Sequence, residues 1–381
     1  MKVKLESFLQ EISEKTTEND QYPVLTSSKA GLYLQSDYFN KQVASKDNTG
    51  YKIIRRGQFT YRAMSDTGEF FPNMLECADI GIVSPAYPVF EITQPEIIIP
   101  EFLKYFFKSD SFQYSIASFA QGSTRTSVKF GKMKTVSINL PSIAEQRHIV
   151  DILDRAKAVV AGREQELQKL DDLIKARFVE MFGTLEEPTH EFSWATLKEL
   201  CNKITDGKHG GCTTESGTER YFVGAREIYD DEVHYETAPE INAAEFEKDY
   251  KRCNVEIGDF LIVNTGATIG KSAIASDERT THTLLQKSVA LLKVKKDVLD
   301  PIFLKWCYRV NTGMYMVKSA SAQPNLLLSK INATEIYVPD IMLQKQFTDF
   351  VKQTDKSKVV IQKALDEAQV LFDSLMQQYF G

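Results

Sequence analysis

The segment Thr265–Ser272, Thr-Gly-Ala-Thr-Ile-Gly-Lys-Ser, is close in pattern to a phosphate-binding loop. A true loop of that class has glycine where Thr265 stands, because the backbone must wrap around the phosphates. No acidic strand follows at a suitable place to hold magnesium. We therefore predict a tight glycine turn after a strand, with Lys271 as a candidate contact to DNA, in preference to a nucleotide site.

A second glycine-rich segment, Asp206–Cys212, contains two residue types that bind metals. His209 and Cys212 could each ligate a metal, but no second pair of ligands at suitable spacing completes a site. The same segment carries Lys208. A loop that contacts DNA and a plain surface loop both fit this composition, and the sequence leaves the two interpretations open.

Polar residues able to contact nucleic acid are concentrated in two further segments, Gln121–Val128 and Ser321–Leu326. Gln, Asn and Arg pair with the edges of adenine or guanine in the major groove, and Ser, Thr and Lys typically contact phosphates. For any single residue, a solvated loop is the alternative. Across the chain, the candidate DNA contacts are Arg55, Arg62, Gln121, Ser123, Thr124, Arg125, Thr126, Lys129, Lys208, His209, Lys271, Gln323, Asn325 and Lys330.

The sequence lacks the motifs of a self-sufficient enzyme. Its five histidines are dispersed and it has no nucleophile elbow, so no catalytic triad can be placed. It also has no Asn-Pro-Pro-aromatic motif for amino-group methylation, no glycine-rich cofactor loop after a strand and no helicase signature. We expect no catalytic residue, cofactor or metal on this chain, so any DNA-modifying chemistry would come from partners.

Length and composition indicate a soluble protein with two domains. The chain has 381 residues, of which 43% are hydrophobic and 26% charged. No run of 18 apolar residues occurs, and the first residues contain no apolar signal core, so we expect no membrane association. The five cysteines are scattered without a Cys-x-x-Cys pair, which favours a reducing, cytoplasmic setting.

The charge distribution is more informative than the net charge of −6. Residues 1–140 have a net charge of +1, whereas residues 184–338 have −5. No acidic residue lies between Asp110 and Glu145, or between Asp300 and Glu335, although both stretches contain Lys and Arg. Two such stretches are typical of an acidic protein with two DNA-facing surfaces, and a chance gap in the charge pattern is the alternative.

The chain contains an internal duplication. Pro141–Gly183 aligns without gaps with Pro339–Gly381 at an offset of 198, with eight of 43 positions identical. Upstream, the six residues from Pro100 parallel the six from Pro301 at an offset of 201. The order along the chain is therefore globule, helix, globule, helix.

Each segment that follows the duplicated proline predicts one long helix. Positions at alternating steps of three and four, from Leu153 to Met181 and from Val351 to Tyr379, form a mainly apolar seam with a polar interruption at Arg163 and at Lys358. A helix of about 40 residues spans roughly 60 Å. We predict that the two helices pair with each other; the alternative is that each packs on its own globule. The predicted pairing residues are Leu153, Val160, Leu167, Leu170, Ile174, Ile361, Leu365, Phe372 and Leu375.

The globules predict an α+β fold, because short β-rich runs are mixed with a few helical stretches. Helices are expected over Glu101–Ala120 and Ile302–Tyr315, each directly after a proline. The predicted strands are Ile80–Ser84, Val89–Ile92, Val136–Leu140, Phe260–Asn264, Ser288–Val294 and Ile336–Val338. The predicted boundaries are globules at residues 1–140 and 184–338 and helices at 141–183 and 339–381.

The chain resembles the specificity subunits of Type I restriction-modification enzymes over essentially its full length. The main carriers are Leu140-Pro-Ser-Ile-Ala-Glu-Gln146 and its counterpart Val338-Pro-Asp-Ile-Met-Leu-Gln344, each leading into a long helix. Supporting stretches begin at Tyr51, Ser84, Ile204 and Gly258. The repeated start of the helix is fairly specific, whereas the other stretches only support it.

The resemblance implies two target-recognition domains separated by two long helices that form an antiparallel coiled coil. Each domain would read one half of a gapped double-stranded DNA target, and the helices would set the gap. Methylation subunits, two of them, would dock on the helices, and restriction subunits would join for cleavage. S-adenosylmethionine, ATP and Mg would be bound by those partners. The alternative function is a coiled-coil scaffold that joins two protein-binding globules without touching nucleic acid.

Overall fold

The computed structural model describes residues 2–38, 45–119, 126–311 and 326–381. The chain forms two compact units. Unit 1 contains Met1–Glu164 together with Gln362–Gly381, and unit 2 contains Gln165–Ile361. Because this division passes through both long helices, the four boundaries that the sequence predicts stay predictions.

Unit 1 is built on a four-stranded antiparallel sheet with four two-stranded pairs around it. Its strands are β1 (Lys2–Lys4), β2 (Leu9–Ile12), β3 (Leu25–Ser27), β4 (Leu32–Leu34), β5 (Lys52–Arg55), β6 (Phe59–Thr60), β7 (Met64–Ser65), β8 (Asn73–Met74), β9 (Ile80–Val83), β10 (Val89–Ile92), β11 (Thr126–Ser127) and β12 (Ser137–Asn139). The sheet order is β2-β10-β6-β8, and the pairs are β1–β12, β3–β4, β5–β9 and β7–β11.

Unit 2 repeats this plan. Its strands are β13 (Ser193–Thr196), β14 (Cys201–Asp206), β15 (Tyr221–Val223), β16 (Ile228–Tyr229), β17 (Glu232–Val233), β18 (Phe260–Val263), β19 (Ser272–Ile274), β20 (Thr283–Leu285), β21 (Val289–Val294) and β22 (Glu335–Val338). The four-stranded sheet has the order β14-β21-β18-β19, and β13–β22, β15–β20 and β16–β17 form pairs. Of these pairs, β15–β20 is parallel.

The helices are short except for two. They are α1 (Gln35–Tyr38), α2 (Pro100–Phe106), α3 (Asp110–Ala117), α4 (Phe130–Met133), α5 (Ile143–Phe182), α6 (Leu197–Leu200), α7 (Ala243–Asp249), α8 (Pro301–Val310), α9 (Leu328–Ala333) and α10 (Ile341–Phe380), with 3-10 turns at Leu5–Ser7, Tyr250–Arg252 and Glu278–His282. Both α5 and α10 contain 40 residues. They confirm the two long helices that the sequence predicts.

The duplication is confirmed by the topology of the two large sheets. In each sheet the first strand along the chain lies beside the fourth, followed by the second and the third. In each unit the opening strand, β1 or β13, pairs antiparallel with the strand that precedes the long helix, β12 or β22. The two halves therefore share one mixed α+β fold.

The helix predicted over Glu101–Ala120 is wrong in its continuity, because the structure has α2 and α3 in its place. The chain leaves α2 after Phe106, and Ser109 starts a new helix as its N-cap. The Ser109 hydroxyl accepts a hydrogen bond from the Phe112 backbone N–H at 3.3 Å. Such a cap favours a fresh helix start over continuation. The helix after Pro301 ends at Val310, and residues 312–315 of the prediction lie outside the described ranges.

In each unit the two long helices run antiparallel where they meet. The core of unit 1 contains Leu153 from the first half of α5 with Met376 and Phe380 from the last turns of α10. In unit 2 the ring of Phe178, near the end of α5, lies 5.3 Å from that of Phe347, near the start of α10. Each helix also packs on globule residues. Between ring centroids, Phe380 of α10 lies 5.0 Å from Phe102, and Phe178 of α5 lies 5.5 Å from Phe303.

The predicted pairing residues lie on the less exposed face of each helix. Leu153 and Ile174 are fully buried, and Val160, Leu167, Leu170, Ile361, Leu365, Phe372 and Leu375 are half-buried. Near the end of α5 the buried positions are Phe178 and Phe182, one residue beyond the predicted three-four pattern. An α-helix with 3.6 residues per turn drifts in this direction from a 3.5-residue repeat. The assignment of these residues to helix pairing stays a prediction.

A buried glutamine fixes the start of each long helix. Gln146 donates hydrogen bonds to the carbonyls of Ile97 (2.8 Å) and Pro141 (3.0 Å) and accepts one from the Ile99 N–H at 3.0 Å. Gln344 repeats this arrangement with the carbonyls of Val298 (3.0 Å) and Pro339 (2.8 Å) and the N–H of Asp300 (2.9 Å). The glutamine shared by the two repeats therefore joins the helix start to the loop before α2 or α8.

Candidate nucleic-acid interface

Four loops of unit 2 meet at one edge of its strands. The parallel strands β15 and β20 end together, so residues 224–227 and 286–288 leave from the same edge. The end of β14 lies beside the start of β21, with Asp206 opposite Ala290. The turn between β18 and β19 also projects from this edge, because Val263 pairs with Val289.

Hydrogen bonds that involve the backbone and two side-chain hydroxyls hold these loops together. The Ala225 N–H donates to the Ser288 hydroxyl at 3.2 Å, and its carbonyl accepts from the Thr268 hydroxyl at 3.4 Å. The Lys208 N–H donates to the Leu285 carbonyl at 2.7 Å. Gly207 is required here, because a Cβ at this position would lie 2.1 Å from the Leu285 oxygen. The edge is therefore a connected surface and not a set of separate loops.

Three cations are exposed on this edge: Arg226, Lys271 and Lys287. Arg226 follows Ala225, Lys287 precedes Ser288, and the Lys271 N–H donates to the Thr268 carbonyl at 3.2 Å. None of the three has an ion-pair partner among the residues that the structure describes. Lys271 was predicted from the sequence, whereas Arg226 and Lys287 were not. No local sequence signal identifies Arg226 and Lys287. Glu227 directly follows Arg226, and the two cations come to the same edge only through the parallel pairing of β15 with β20.

The segment from Thr265 to Ser272 is the glycine turn that the sequence predicts. Gly266 and Gly270 have φ values of 108° and 91°, a region that glycine adopts without strain. Ser272 begins strand β19, whereas a phosphate-binding loop continues into a helix whose N-terminal N–H groups face the phosphates. The turn therefore offers Lys271 as a side chain on a strand hairpin.

Lys208 is held by acidic residues of α7. Its Nζ lies 2.8 Å from a carboxylate oxygen of Asp249 and 3.3 Å from one of Glu245. The hydrogen bond to Asp249 raises the pKa of Lys208 well above its usual value. A phosphate would have to displace these carboxylates, so Lys208 is less available than Lys271. The neighbouring His209 is exposed, with Nε2 3.3 Å from Asp206.

The remaining candidates of the second half are Gln323, Asn325 and Lys330. Gln323 and Asn325 lie outside the described residues, but the next described residue, Leu326, donates its N–H to the Asn264 carbonyl at 2.8 Å. Asn264 is the residue that follows β18. Lys330 is exposed on the short helix α9. Leu326, the first residue described after Gln323 and Asn325, therefore lies at this edge.

In unit 1 the pairing of β7 with β11 places Thr126 opposite Ser65 and Ser127 opposite Met64, and Arg62 lies just before β7. The Thr126 hydroxyl donates to the Ser65 carbonyl at 3.1 Å, and the Val128 N–H donates to the Ala63 carbonyl at 3.1 Å. Lys129 follows and is exposed. The guanidinium of Arg62 is 3.7 Å from Asp66. The candidates Gln121, Ser123, Thr124 and Arg125 directly precede β11 and lie outside the described residues.

Arg55 is bound by an acid. It lies at the end of β5, and its guanidinium contacts both carboxylate oxygens of Glu14, at 2.5 and 2.9 Å. Hydrogen bonding to Arg55 lowers the pKa of Glu14. Both side chains are about half exposed, so the pair contributes little to stability. It does occupy the guanidinium that a phosphate or base would need.

Comparison with known proteins places this geometry in a family. A model described as the Type I restriction modification DNA specificity domain matches twice, at residues 7–171 and 191–368. The chain belongs to this family. The two matches follow the duplication, and each specificity domain covers one globule and most of the helix after it.

Individual relatives agree in fold at low identity. The chain is 19% identical over 305 residues to the Type I restriction enzyme EcoKI specificity subunit of Escherichia coli (strain K12). That alignment covers 75% of this chain and 65% of the relative's length, which is less than two thirds. The S subunit of a Type I restriction-modification system from M. genitalium matches with a TM-score of 0.52 and 16% identity, over 100% of this chain and 96% of that one.

A second solved structure, from work on complex assembly and conformational transition of the type I R-M system, has a TM-score of 0.57 and 18% identity. It covers 100% of this chain and 97% of the other chain. At these identities the structural likeness shows the shared specificity-subunit fold alone.

The two acid-free stretches of the sequence differ in their surroundings. In the second specificity domain, Asp231 lies 3.5 Å from Lys305 and 2.5 Å from Arg309, so an acid distant in sequence neutralises this stretch. In the first domain, Lys129 and Lys132 are exposed and have no ion pair within the described part of the chain. A gap in the linear charge pattern therefore predicts a basic surface in the first domain but not around Lys305.

Among the residues that the structure describes, no group of three or more His, Cys, Asp and Glu side chains is placed to hold a metal ion. Among the same residues, no helix is both long and apolar enough to cross a membrane.

Proposed function

We propose that this chain is the DNA-specificity subunit of a Type I restriction-modification system and that each unit reads one half of a bipartite, gapped target. The observation that carries the proposal is the loop edge of unit 2, where Arg226, Lys271 and Lys287 are exposed without acidic partners in the described structure. Cations of this kind bind phosphates and position a protein on the duplex. The base-reading residues would come from the neighbouring loops, among them Gln323 and Asn325.

The duplication supports a two-part target. Two readers in one chain give the second contact a high effective concentration, so a site with both halves is bound more tightly than either half alone. Helices α5 and α10, each about 60 Å long if straight, would set the gap between the half-sites. We propose residues 1–140 and 184–338 as the two target-recognition domains, with 141–183 and 339–381 as the spacer helices.

The chemistry would come from other subunits. We propose that two methylation subunits dock on the long helices and use S-adenosylmethionine to methylate adenine, and that restriction subunits contribute ATP- and Mg-dependent cleavage. The chain itself would be non-catalytic. Apolar side chains that are more than half exposed on α10, such as Val359, Val360 and Val370, support a protein-docking role for the helices.

Binding to DNA tests this proposal. Fluorescence anisotropy with the full chain, a library-selected gapped duplex and a scrambled duplex would be measured from 50 to 200 mM salt. Arg226→Ala, Lys271→Ala and Lys287→Ala should each weaken binding to both duplexes and reduce the slope of log affinity against log salt by about one. Lys248→Ala, an exposed lysine on α7, is the control and should leave the slope unchanged.

Mapping of methylated sites in DNA exposed to the chain and its methylation partner would then give the two half-sites and the gap. If the chain shows no sequence-selective binding and no salt dependence, the proposal fails. The protein would then be better described as a coiled-coil scaffold that joins two protein-binding globules.

A further inference from the structure

Unit 1 contains a cavity of about 300 Å³ between α2 and the two long helices. Its walls combine apolar side chains with several lysines. The lining residues are Lys104, Tyr105, Lys108, Lys157, Val160, Ala161, Glu164, Gln369 and Phe372. All of them belong to unit 1. Neither the candidate DNA contacts nor the family match assigns a role to this cavity.

The lysines of the cavity are unequally neutralised. Lys104 is paired with Glu76 at 2.9 Å. Lys108 is half-buried and donates only to a neutral group, the Ala30 carbonyl, at 3.1 Å. Burial, and then the nearby charges of Lys157 and Lys104, lower the pKa of Lys108. Within the described chain Lys157 has no ion pair.

Three acidic groups are close to the cavity, but none forms an ion pair with Lys108 or Lys157 in the described structure. Glu76 is paired with Lys104, and its charge opposes the lowering of the Lys108 pKa without reversing it. Asp154 accepts a hydrogen bond from the Tyr105 hydroxyl at 2.5 Å. Glu164 lies on the lining and is exposed to solvent, with no ion pair among the described residues. The cavity therefore presents Lys108 and Lys157 beside an apolar wall.

Unit 2 shows what occupies the equivalent position. At the offset of 201, Lys104, Tyr105 and Lys108 correspond to Lys305, Trp306 and Arg309. There Asp231, on the tight turn between β16 and β17, inserts its carboxylate between the two cations, 3.5 Å from Lys305 and 2.5 Å from Arg309.

The long helices extend the comparison. At the offset of 198, Lys157 of α5 corresponds to Asp355 of α10, whose charge favours the protonated form of Lys305. Unit 2 therefore provides two carboxylates for its cation pair. Unit 1 instead provides one carboxylate, Glu76, which pairs with Lys104, and adds a third cation, Lys157. No described turn of unit 1 inserts an acid between Lys108 and Lys157.

We propose that this cavity is an anchor for an aspartate or glutamate side chain of a partner protein, which would occupy in unit 1 the place that Asp231 takes in unit 2. The inference rests on the proposed function, in which a methylation subunit is that partner. A carboxylate beside an apolar wall fits a protein side chain on a turn. A DNA phosphate is less suited, because it remains hydrated and favours exposed cations, whereas Lys108 is half-buried.

Association of the full chain with its methylation subunit, measured by isothermal titration calorimetry, tests the anchor. Lys108→Met keeps the apolar stem and removes the charge. Lys157→Asp introduces the residue type that unit 2 has at this position, Asp355, and its carboxylate would neutralise Lys108 in place of the partner's acid. Each variant should weaken association by about tenfold or more, since an acid of the partner would lose its counter-charge. Lys15→Met and Lys15→Asp, at an exposed lysine elsewhere in unit 1, are matched controls and should bind normally.

Thermal unfolding and DNA binding of each isolated variant separate the outcomes. Normal unfolding and DNA binding together with weakened association support the anchor, and rescue of Lys157→Asp by an acid-to-lysine change in the partner identifies the bound side chain. Unchanged association overturns the inference. Loss of salt-dependent DNA binding with unchanged association also overturns it, in favour of a phosphate contact. If the unaltered chain binds no methylation subunit, the proposed function itself is wrong. This result is distinguishable from failure of the anchor alone, in which the unaltered chain and the variants bind the methylation subunit equally well.

Discussion

Gln146 and Gln344 show how single residues support the duplicated architecture. Each side-chain amide is completely buried and satisfies two carbonyls and one N–H of the surrounding backbone. A buried polar group that loses its partners retains the full cost of its removal from water. The sequence repeat marks both glutamines. It does not reveal their bonds, because Ile97 and Val298 lie more than 40 residues upstream of their glutamines.

Replacement of either glutamine should therefore destabilise the protein. We expect Gln146→Ala and Gln344→Ala each to lower the free energy of unfolding by about 2 kcal/mol, because three backbone groups lose their partner. Urea denaturation followed by circular dichroism would measure this change. Gln168→Ala is the control, since Gln168 is exposed on α5 and bonds only Asp172 at 3.2 Å. An equal effect of all three variants would contradict the proposed role of the buried amides.

The reactivity of each cysteine depends on whether its own thiol is buried or exposed. Burial raises the pKa of Cys201 to about 12 and that of Cys253 to about 11, so few of these thiols are ionised near neutral pH. Cys77 is exposed. Alkylation by iodoacetamide at pH 8, followed by mass spectrometry, should modify Cys77 first and leave Cys201 and Cys253 largely protected until the protein unfolds. Equally fast labelling of all three would show that the buried thiols are accessible.

At the scale of secondary-structure elements, the turn between β16 and β17 stabilises α8. Asp230 and Asp231 both have positive φ, at 48° and 63°, as a tight hairpin turn requires. This conformation directs Asp231 towards Lys305 and Arg309, and the guanidinium of Arg309 also lies 4.4 Å from the centre of the Trp306 ring. A two-residue turn thereby neutralises a cation pair that is about 75 residues away in sequence.

Removal of this carboxylate should weaken unit 2. Asp231→Asn preserves the tolerance for positive φ but leaves two partly buried cations facing each other. We expect the free energy of unfolding to fall by about 2 kcal/mol, somewhat less than for a fully buried pair. Asp230→Asn makes the same chemical change in the same turn and should cost less than about 0.5 kcal/mol. Denaturant titrations of both variants would compare them, and a similar loss for each would point to the turn and not to the ion pair.

The elements also show where sequence reasoning succeeds and where it stops. The long helices are predictable because their apolar repeat and the preceding proline are local signals. The break between α2 and α3 depends on the single cap at Ser109. The loop edge of unit 2 depends on the parallel pairing of Val223 with Leu285, and no spacing rule connects residues so far apart. Arg226 and Lys287 are accordingly missing from the predicted contacts.

On the scale of the whole molecule, the proposed function predicts that helix length determines the gap between the two half-sites. Insertion of seven residues into both α5 and α10, near Arg163 and Ile361, adds about 10 Å to each helix and preserves the apolar repeat. On duplex DNA this length corresponds to roughly three base pairs. We expect the gap to lengthen by about that amount while both half-sites remain unchanged. Methylome sequencing would read out both quantities.

The matched control is insertion of the same seven residues into α5 alone. Helix α5 would then be seven residues longer than α10, so the apolar positions of the two helices could not pair along their whole length. We expect loss of folding or of DNA binding. A changed half-site in the double insertion, with the gap unchanged, would show that the helices do not measure the spacing.

The pairing of β1 with β12, and of β13 with β22, places the entry and the exit of each globule side by side. A globule whose first and last strands pair with each other can be replaced as a unit, because only two neighbouring connections to the rest of the chain, here called its joints, have to be preserved. Recombination between related genes at those joints would exchange one globule and keep the other. Under the proposed function, such an exchange would give new combinations of half-sites without redesign of the helices.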